Sequence, residues 1–167
     1  MGRLTPEEFA QAGKTPMVLI LDNIRSMHNV GSMFRTADCF LAEHIYLCGM
    51  TPEPGHHEIE KTALGATQTV AWTKVDDTLS CIQSLKEQGF RIAALEQAED
   101  SIDLRSYHVQ GPTALVVGHE VMGVQQAAVD ACDDVIEIKQ FGTKHSLNVS
   151  VSAGMALFEI HKGLTAK

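Results

Sequence analysis

Segment 142–150 (Gly-Thr-Lys-His-Ser-Leu-Asn-Val-Ser) carries more polar side chains than the start of a helix requires. Asn148, Ser150 and Ser152 occupy alternate positions at the start of a stretch whose later apolar residues have helical spacing. One Ser or Asn side chain is enough to cap a helix, by accepting a hydrogen bond from a free backbone N–H group. The surplus of hydroxyl and amide groups therefore predicts a binding or catalytic site here.

A second candidate group lies around Arg35. Helical spacing places His28, Ser32 and Arg35 on one face of a helix, and the small residues Gly31 and Ser32 are expected to leave room around the guanidinium. A guanidinium binds phosphate with two parallel hydrogen bonds, so this face could accept a polyanion. The competing interpretation is a structural contact of Arg35 with Asp38 or with a neighbouring helix.

Two further groups are open to simpler explanations. Gly118-His119-Glu120 could be an ordinary turn from a strand into a helix, where a carboxylate is favourable. The sequence His56-His57-Glu58 could suggest a metal site, but adjacent side chains point in different directions and no third ligand is spaced with them. We expect a solvated loop and no metal.

Apolar runs of strand length alternate with helical stripes along the whole chain. The predicted strands are 17–21, 44–48, 69–72, 91–95, 114–117 and 135–138, and the predicted helices are 30–41, 57–64, 76–88, 124–131 and 147–161. Strands that are solidly apolar indicate a parallel sheet covered on both faces. We expect an α/β fold with a mostly parallel six-stranded sheet, in a single domain of residues 1–167 with a core at about 17–161 and a short N-terminal segment 1–16.

Composition limits the possible partners. The chain of 167 residues has 13 Lys and Arg against 21 Asp and Glu, a formal charge of −8, which argues against nonspecific coating of nucleic acid. Local charge differs, because Arg25, His28, Arg35 and Lys144 lie in two segments that are poor in carboxylates. With no signal sequence, no apolar run long enough for a membrane span and four cysteines without metal-like pairing, we expect a cytoplasmic protein with reduced thiols and no membrane partner.

Three polar loops follow predicted strands, at 22–31, 118–123 and 139–148. Ligands of parallel sheets bind at the carboxyl ends of the strands, so these loops are expected to form one site. Segments 29–37, 115–124 and 138–150 resemble motifs 1, 2 and 3 of the SpoU-type (TrmH-like) RNA 2′-O-ribose methyltransferases of the SPOUT class. The resemblance covers about residues 17–161.

The resemblance implies a C-terminal segment threaded into a deep trefoil knot, a homodimer with the site near the subunit interface, and S-adenosyl-L-methionine as cofactor. Leu95, Gly118, Ile138 and Leu147 stand at the positions that would hold the cofactor. Apolar side chains suit an adenine ring, while main-chain groups would hydrogen-bond its edge.

The resemblance also implies a catalytic role for Arg35, which we expect to clamp the target phosphate and stabilise the developing alkoxide rather than act as a base. Asn29 would orient the ribose, and Glu120 would hold Arg35 or the motif 1 loop. Ser146 and Asn148 would hydrogen-bond the ribose or Arg35. Arg25, His28, Arg35 and Lys144 are the candidate RNA contacts, and His119, where the family commonly has Asn, could add a pH-sensitive contribution.

Only about 16 residues precede the first predicted strand, so RNA would be recognised by the core, which favours tRNA over rRNA as substrate. Two other functions stay open at this point: a noncatalytic RNA- or cofactor-binding module that keeps the fold, and a methyltransferase that acts on something other than RNA.

Overall fold

The structure is a computed structural model and describes residues 2–166. Its strands are β1 (Thr15–Asp22), β2 (Ala42–Cys48), β3 (Trp72–Val75), β4 (Arg91–Leu95), β5 (Ile102–Asp103), β6 (Thr113–Gly118) and β7 (Asp134–Glu137). They form one sheet in the order β3-β2-β1-β6-β4-β7-β5, and every pair of neighbours is parallel. The parallel α/β fold is confirmed. The expected count of six strands is wrong, because the two-residue edge strand β5 is too short to give a periodic signal.

The helices are α1 (Pro6–Gln11), α2 (Met27–Cys39), α3 (His57–Ala63), α4 (Ala66–Thr69), α5 (Thr78–Glu87), α6 (Gln126–Ala131) and α7 (Val149–Thr165). They cover both faces of the sheet, as the apolar strands predict. Met17, Leu19 and Leu21 of β1 pack on the face that carries α2, α3 and α7. Val18 and Ile20 point to the other face, towards α5 and α6.

Several predicted boundaries are corrected. The strand expected at 69–72 lies at Trp72–Val75, since Thr69 ends α4. The final helix begins at Val149 rather than Leu147, because Asn148 has extended backbone geometry and caps it. Helix α6 begins at Gln126 rather than Val124, after an extended Gln125. Short edge strands and helix ends depend on such local geometry, which periodicity does not report.

Gly31 has a different role from the expected one. A Cβ at this position would lie 2.0 Å from Thr62 Oγ1 and 2.2 Å from the Ile59 carbonyl oxygen, so the glycine allows α2 and α3 to approach closely. It is buried under α3 and does not make room around Arg35.

No helix in the range 2–166 is long and apolar enough to cross a bilayer. The trefoil knot that the resemblance implies stays a prediction.

Candidate active site

The three polar loops converge at the carboxyl ends of the central strands. Asp22, the last residue of β1, is level with Gly118, the last residue of β6, and the ends of β4 and β7 lie on the other side of β6. This placement follows from the all-parallel topology, which brings every strand end to the same edge of the sheet.

A chain of hydrogen bonds joins the three loops. The Nδ2 of Asn29, in the first turn of α2, donates to Glu120 Oε1 at 3.0 Å. The Nδ2 of Asn148 in turn donates to Asn29 Oδ1 at 3.1 Å. One polar residue from each of the three sequence segments therefore contributes to a single network.

Glu120 fixes the loop that leads into α2. Besides Asn29, its carboxylate accepts hydrogen bonds from the backbone N–H of Arg25 at 3.1 Å and of Ser26 at 2.9 Å. Burial acts to raise the pKa of Glu120, but the hydrogen bonds from Asn29, Ser26 and Arg25 outweigh it and hold the pKa below its ordinary value. Of the two expected partners, Glu120 thus holds the motif 1 loop and not Arg35.

Asn148 also begins the last helix. Its Oδ1 accepts hydrogen bonds from the backbone N–H of Ser150 at 2.9 Å and of Val151 at 3.3 Å. The side chain therefore caps α7 with its oxygen while its nitrogen reaches Asn29. Ser150 completes the cap by donating its hydroxyl to the same oxygen, so part of the polarity of this segment serves the helix.

Arg35 is exposed and has no hydrogen-bond or ion-pair partner in residues 2–166. The alternative pairing with Asp38 is absent from this range, and the Asp38 carboxylate instead accepts a hydrogen bond from Thr69. The neighbouring residue Thr36 lies against α7, since a Cβ at Gly154 would be 3.7 Å from its Cγ2. Arg35 thus lies on a helix that packs on α7, and its guanidinium is free within residues 2–166.

A cleft of about 350 Å³ opens next to the network. It is lined by all four residues expected to hold the cofactor, Leu95, Gly118, Ile138 and Leu147. Glu120 and Ser146 of the catalytic candidates also line it, whereas Asn29, Arg35 and Asn148 do not. The structure brings the cofactor candidates together and leaves Arg35 outside the cleft wall.

Gly118 is required by the way the chain turns back after β6. A Cβ here would lie 2.1 Å from the Val124 nitrogen and 2.2 Å from the Gly123 carbonyl carbon. The turn is closed by two backbone hydrogen bonds between His119 and Gly123, of 3.1 and 2.8 Å. The absent side chain therefore shapes one wall of the cleft.

The chemistry of the cleft suits a flat ligand with an attached positive charge. Leu95, Ile138 and Leu147 supply apolar surface, and the carboxylates of Glu96 and Glu137 lie among them. S-adenosyl-L-methionine combines an adenine ring with a sulfonium and an ammonium group, so the residues present fit it.

Two acidic residues at the site escaped the sequence interpretation. Asp22 is fully buried and accepts hydrogen bonds from Thr78 Oγ1 at 2.6 Å and from the Gln125 N–H at 2.8 Å. Glu96 accepts from the Val124 N–H at 2.9 Å. The available signal in both cases was a carboxylate directly after an apolar run.

The candidate RNA contacts differ in availability. Arg25 and Lys144 are exposed. His28 instead is hydrogen-bonded to Glu58, and this hydrogen bond holds the pKa of Glu58 below its ordinary value. Glu58 therefore has His28 as its partner. Within residues 2–166, no group of three or more His, Cys, Asp or Glu side chains is arranged to hold a metal ion.

The chain resembles known proteins along most of its length. Residues 16–158 match the model of the SpoU rRNA methylase family. A 23S rRNA (guanosine-2′-O-)-methyltransferase, RlmB of Vibrio parahaemolyticus, is 33% identical over 92% of this chain and 62% of its own length. The chain spans about three fifths of the length of such curated relatives.

Solved structures agree with this match. The A. aeolicus TrmH/SpoU tRNA modifying enzyme superposes with a TM-score of 0.83 at 29% identity, covering 95% of this chain and 79% of that one. An AdoMet-bound rRNA methyltransferase from Sinorhizobium meliloti gives 0.84 at 26% identity, covering 96% and 60%. The chain belongs to the SpoU rRNA methylase family.

Proposed function

We propose that this chain is an S-adenosyl-L-methionine-dependent RNA methyltransferase that methylates a ribose 2′-hydroxyl. The observation that carries the proposal is the network from Glu120 through Asn29 to Asn148, which joins all three sequence motifs beside a cleft fitted to the cofactor. A protein that only bound RNA would have no need to fix these groups next to a cofactor cleft and a free arginine.

The residues divide the work as follows. Bound in the cleft, the cofactor supplies an electrophilic methyl group on a sulfonium. Asn29 and Asn148 each use one amide hydrogen within the network, so each keeps a second hydrogen for the ribose. Glu120 holds Asn29 in place, and Ser146 adds a hydroxyl at the cleft wall. Fixed orientation of this kind lowers the barrier to transfer.

Arg35 supplies positive charge and not a base. A guanidinium has five N–H donors, accepts no hydrogen bond and stays protonated in proteins. Because Arg35 has no partner in residues 2–166, it is free to bind the phosphate next to the target ribose and to stabilise the negative charge that develops on the 2′-oxygen as the hydroxyl proton passes to solvent water. Arg25 and Lys144 would add phosphate contacts nearby.

We further propose that the chain works as a homodimer. Val151, Met155 and Phe158 form an apolar stripe on α7 and are 52, 44 and 51% exposed, more than isolated surface positions require. The stripe starts three residues after Asn148 and borders the side of α7 that Thr36 contacts. A second copy on this face would place the interface beside α2, the helix that carries Arg35, and the family resemblance implies an interface near the site.

Sedimentation of variants tests the dimer. Met155→Glu places a charge in the stripe and is expected to give a monomer. Gln83→Glu, on the exposed surface of α5 across the sheet, is the matched control and is expected to stay dimeric. A wild-type monomer, or a dimer that survives Met155→Glu, would contradict the proposed interface.

Transfer of a labelled methyl group tests the activity. Purified protein is incubated with labelled cofactor and, separately, with tRNA and rRNA that lack the modification, and digested nucleosides are identified by mass spectrometry. A 2′-O-methylated nucleoside is expected, and the fraction that yields it decides between the tRNA expected from the sequence and rRNA. Methylation on a base, or only of a non-RNA acceptor, would refute the proposal. We also propose that the protein acts in the cytoplasm, as the sequence predicts.

A further inference from the structure

The turn after β6 is held at its base and at its tip by different groups. At its base, Glu120 bonds to the α2 loop, Glu96 accepts from the Val124 N–H and Asp22 accepts from the Gln125 N–H. These carboxylates tie the turn to β4, β1 and α2.

Among the described residues, the side chain that holds the tip is His119. The ring Nδ1 of His119 accepts hydrogen bonds from the backbone N–H of Val121 and of Met122, both at 3.1 Å. Neither N–H has another partner within residues 2–166, and the two side chains are 85 and 81% exposed, so little packing holds the tip. Val121 and Met122 nevertheless line the cofactor cleft.

An Nδ1 that accepts two hydrogen bonds must be unprotonated, which places the ring proton of the neutral side chain on Nε2. Protonation turns Nδ1 into a donor that faces two other donors, so both hydrogen bonds are lost. Imidazoles are the side chains whose charge ordinarily changes between pH 5 and 8. The shape of the tip is therefore tied to the protonation of this ring.

The charged groups around the ring do not replace these bonds. Those that line the cleft with His119 are Glu96 after β4, Glu120 in the turn, Glu137 of β7 and His145 before α7, and Asp22 of β1 is bonded to Gln125 at the base of the turn. Asp22, Glu96 and Glu120 already accept hydrogen bonds from other residues. None of the ion pairs formed by the described residues includes His119.

We propose that His119 is a positioning residue for the cofactor, which holds the tip of the turn in its binding shape only while its ring is neutral. The inference rests on the proposed function of the cleft. It predicts that cofactor affinity falls as the pH falls through the range in which the ring becomes protonated.

Asparagine offers a non-titrating replacement. Its Oδ1 and the histidine Nδ1 are both three bonds from Cα, so His119→Asn can accept the same two hydrogen bonds at every pH. His119→Ala removes the acceptor. His108→Asn is the matched control, because His108 is exposed and does not line the cleft.

Calorimetric titration with S-adenosyl-L-methionine at about pH 8 and pH 5.5 gives the readout. For the wild type and His108→Asn, affinity is expected to fall about tenfold or more at the lower pH, through loss of two hydrogen bonds. His119→Asn is expected to lose this extra pH dependence, and His119→Ala to bind weakly at both pH values. Ionisation of the cofactor itself affects all variants equally. An unchanged pH dependence in His119→Asn, or wild-type binding by His119→Ala, would overturn the proposal.

A second readout needs no cofactor. In the free wild-type protein, the backbone amide resonances of Val121 and Met122 are expected to shift together with the titration of His119, and not to shift in His119→Asn. If the amide resonances of Val121 and Met122 do not shift as His119 titrates, the proposed role of His119 is overturned. A different outcome would refute the function proposed for the cleft: the wild type binds no cofactor at pH 8, although the Val121 and Met122 resonances do shift with the titration of His119.

Discussion

Two parts of the proposed site differ in how completely their polar groups are paired. Glu120, Asn29 and Asn148 are joined to one another and to backbone groups before any ligand binds. Arg35, on the same helix as Asn29, has no partner in residues 2–166 and is exposed. The difference indicates that the network is a rigid support arranged by folding, whereas Arg35 obtains its partner from the substrate.

Removing Arg35 should give the largest functional effect and no structural one. Arg35→Ala is expected to lower the rate of methyl transfer about a hundred- to thousandfold, as removal of a transition-state donor does elsewhere. Cofactor affinity and the free energy of unfolding should stay near wild type. Single-turnover kinetics, calorimetry and urea unfolding measure the three quantities.

Lys61→Ala is the matched control for Arg35→Ala, because Lys61 is an exposed cation on α3. It should leave all three quantities unchanged. Equal losses of cofactor binding and transfer in Arg35→Ala would mean that Arg35 belongs to the rigid support.

Gly118→Ala tests the wall of the cleft. The new Cβ would meet the backbone of Val124 at 2.1 Å, so the turn must move. We expect the free energy of unfolding to fall by about 1–3 kcal/mol and cofactor affinity to fall with it. Urea unfolding and calorimetry provide the test, and wild-type values for both would show that the turn does not shape the site.

Glu120→Gln tests the charge at the centre of the network. Oε2 of Glu120 accepts from the Arg25 N–H, whereas Oε1 accepts from the Ser26 N–H and from Asn29. An amide nitrogen in place of either oxygen faces a donor, and leaving that donor unpaired is expected to cost about 1–3 kcal/mol of stability. Because the pKa of Glu120 is lowered in the folded protein, its ionised form is favoured there.

The stabilisation from ionised Glu120 is therefore complete above the ordinary glutamate pKa of about 4.3 and is lost as the pH falls through the lower folded value. The difference in unfolding free energy between wild type and Glu120→Gln should shrink between about pH 5 and pH 3. A difference that grows on acidification would contradict this role of Glu120.

The smallest effect concerns the link between Asn29 and Asn148. Asn148→Ala should cost about 1 kcal/mol through loss of the α7 cap. In a double-mutant cycle with Asn29→Ala, the coupling energy should be about 0.5–1.5 kcal/mol. Additive losses, measured by urea unfolding, would show that the two amides act independently.

Much of this arrangement was predictable from the sequence. The solid apolar runs of β1 and β6 identify central strands of a parallel sheet, and the parallel topology then brings the polar loops together. The edge strands β3 and β5 were misplaced or missed, because a strand paired on one side only has little apolar pattern.

Within the site, the polar surplus around Asn148 predicted a functional segment but not its division between capping and the Asn29 link. Asp22 accepts a hydrogen bond from Gln125, and Glu96 accepts one from Val124 in the turn after β6. Both contacts join segments that are distant in the sequence, so they could not be predicted from local patterns. Gly31 is a further example, because the close approach of α3 requires a glycine there and the space around Arg35 does not.

The nucleosides of cellular RNA test the central claim most directly. Total RNA from a strain lacking this chain is compared by mass spectrometry with RNA from strains that carry the wild type or Arg35→Ala. We predict that one 2′-O-methylated nucleoside is missing from the deletion strain, returns with the wild type and does not return with Arg35→Ala. An unchanged nucleoside profile, or full restoration by Arg35→Ala, would contradict the account.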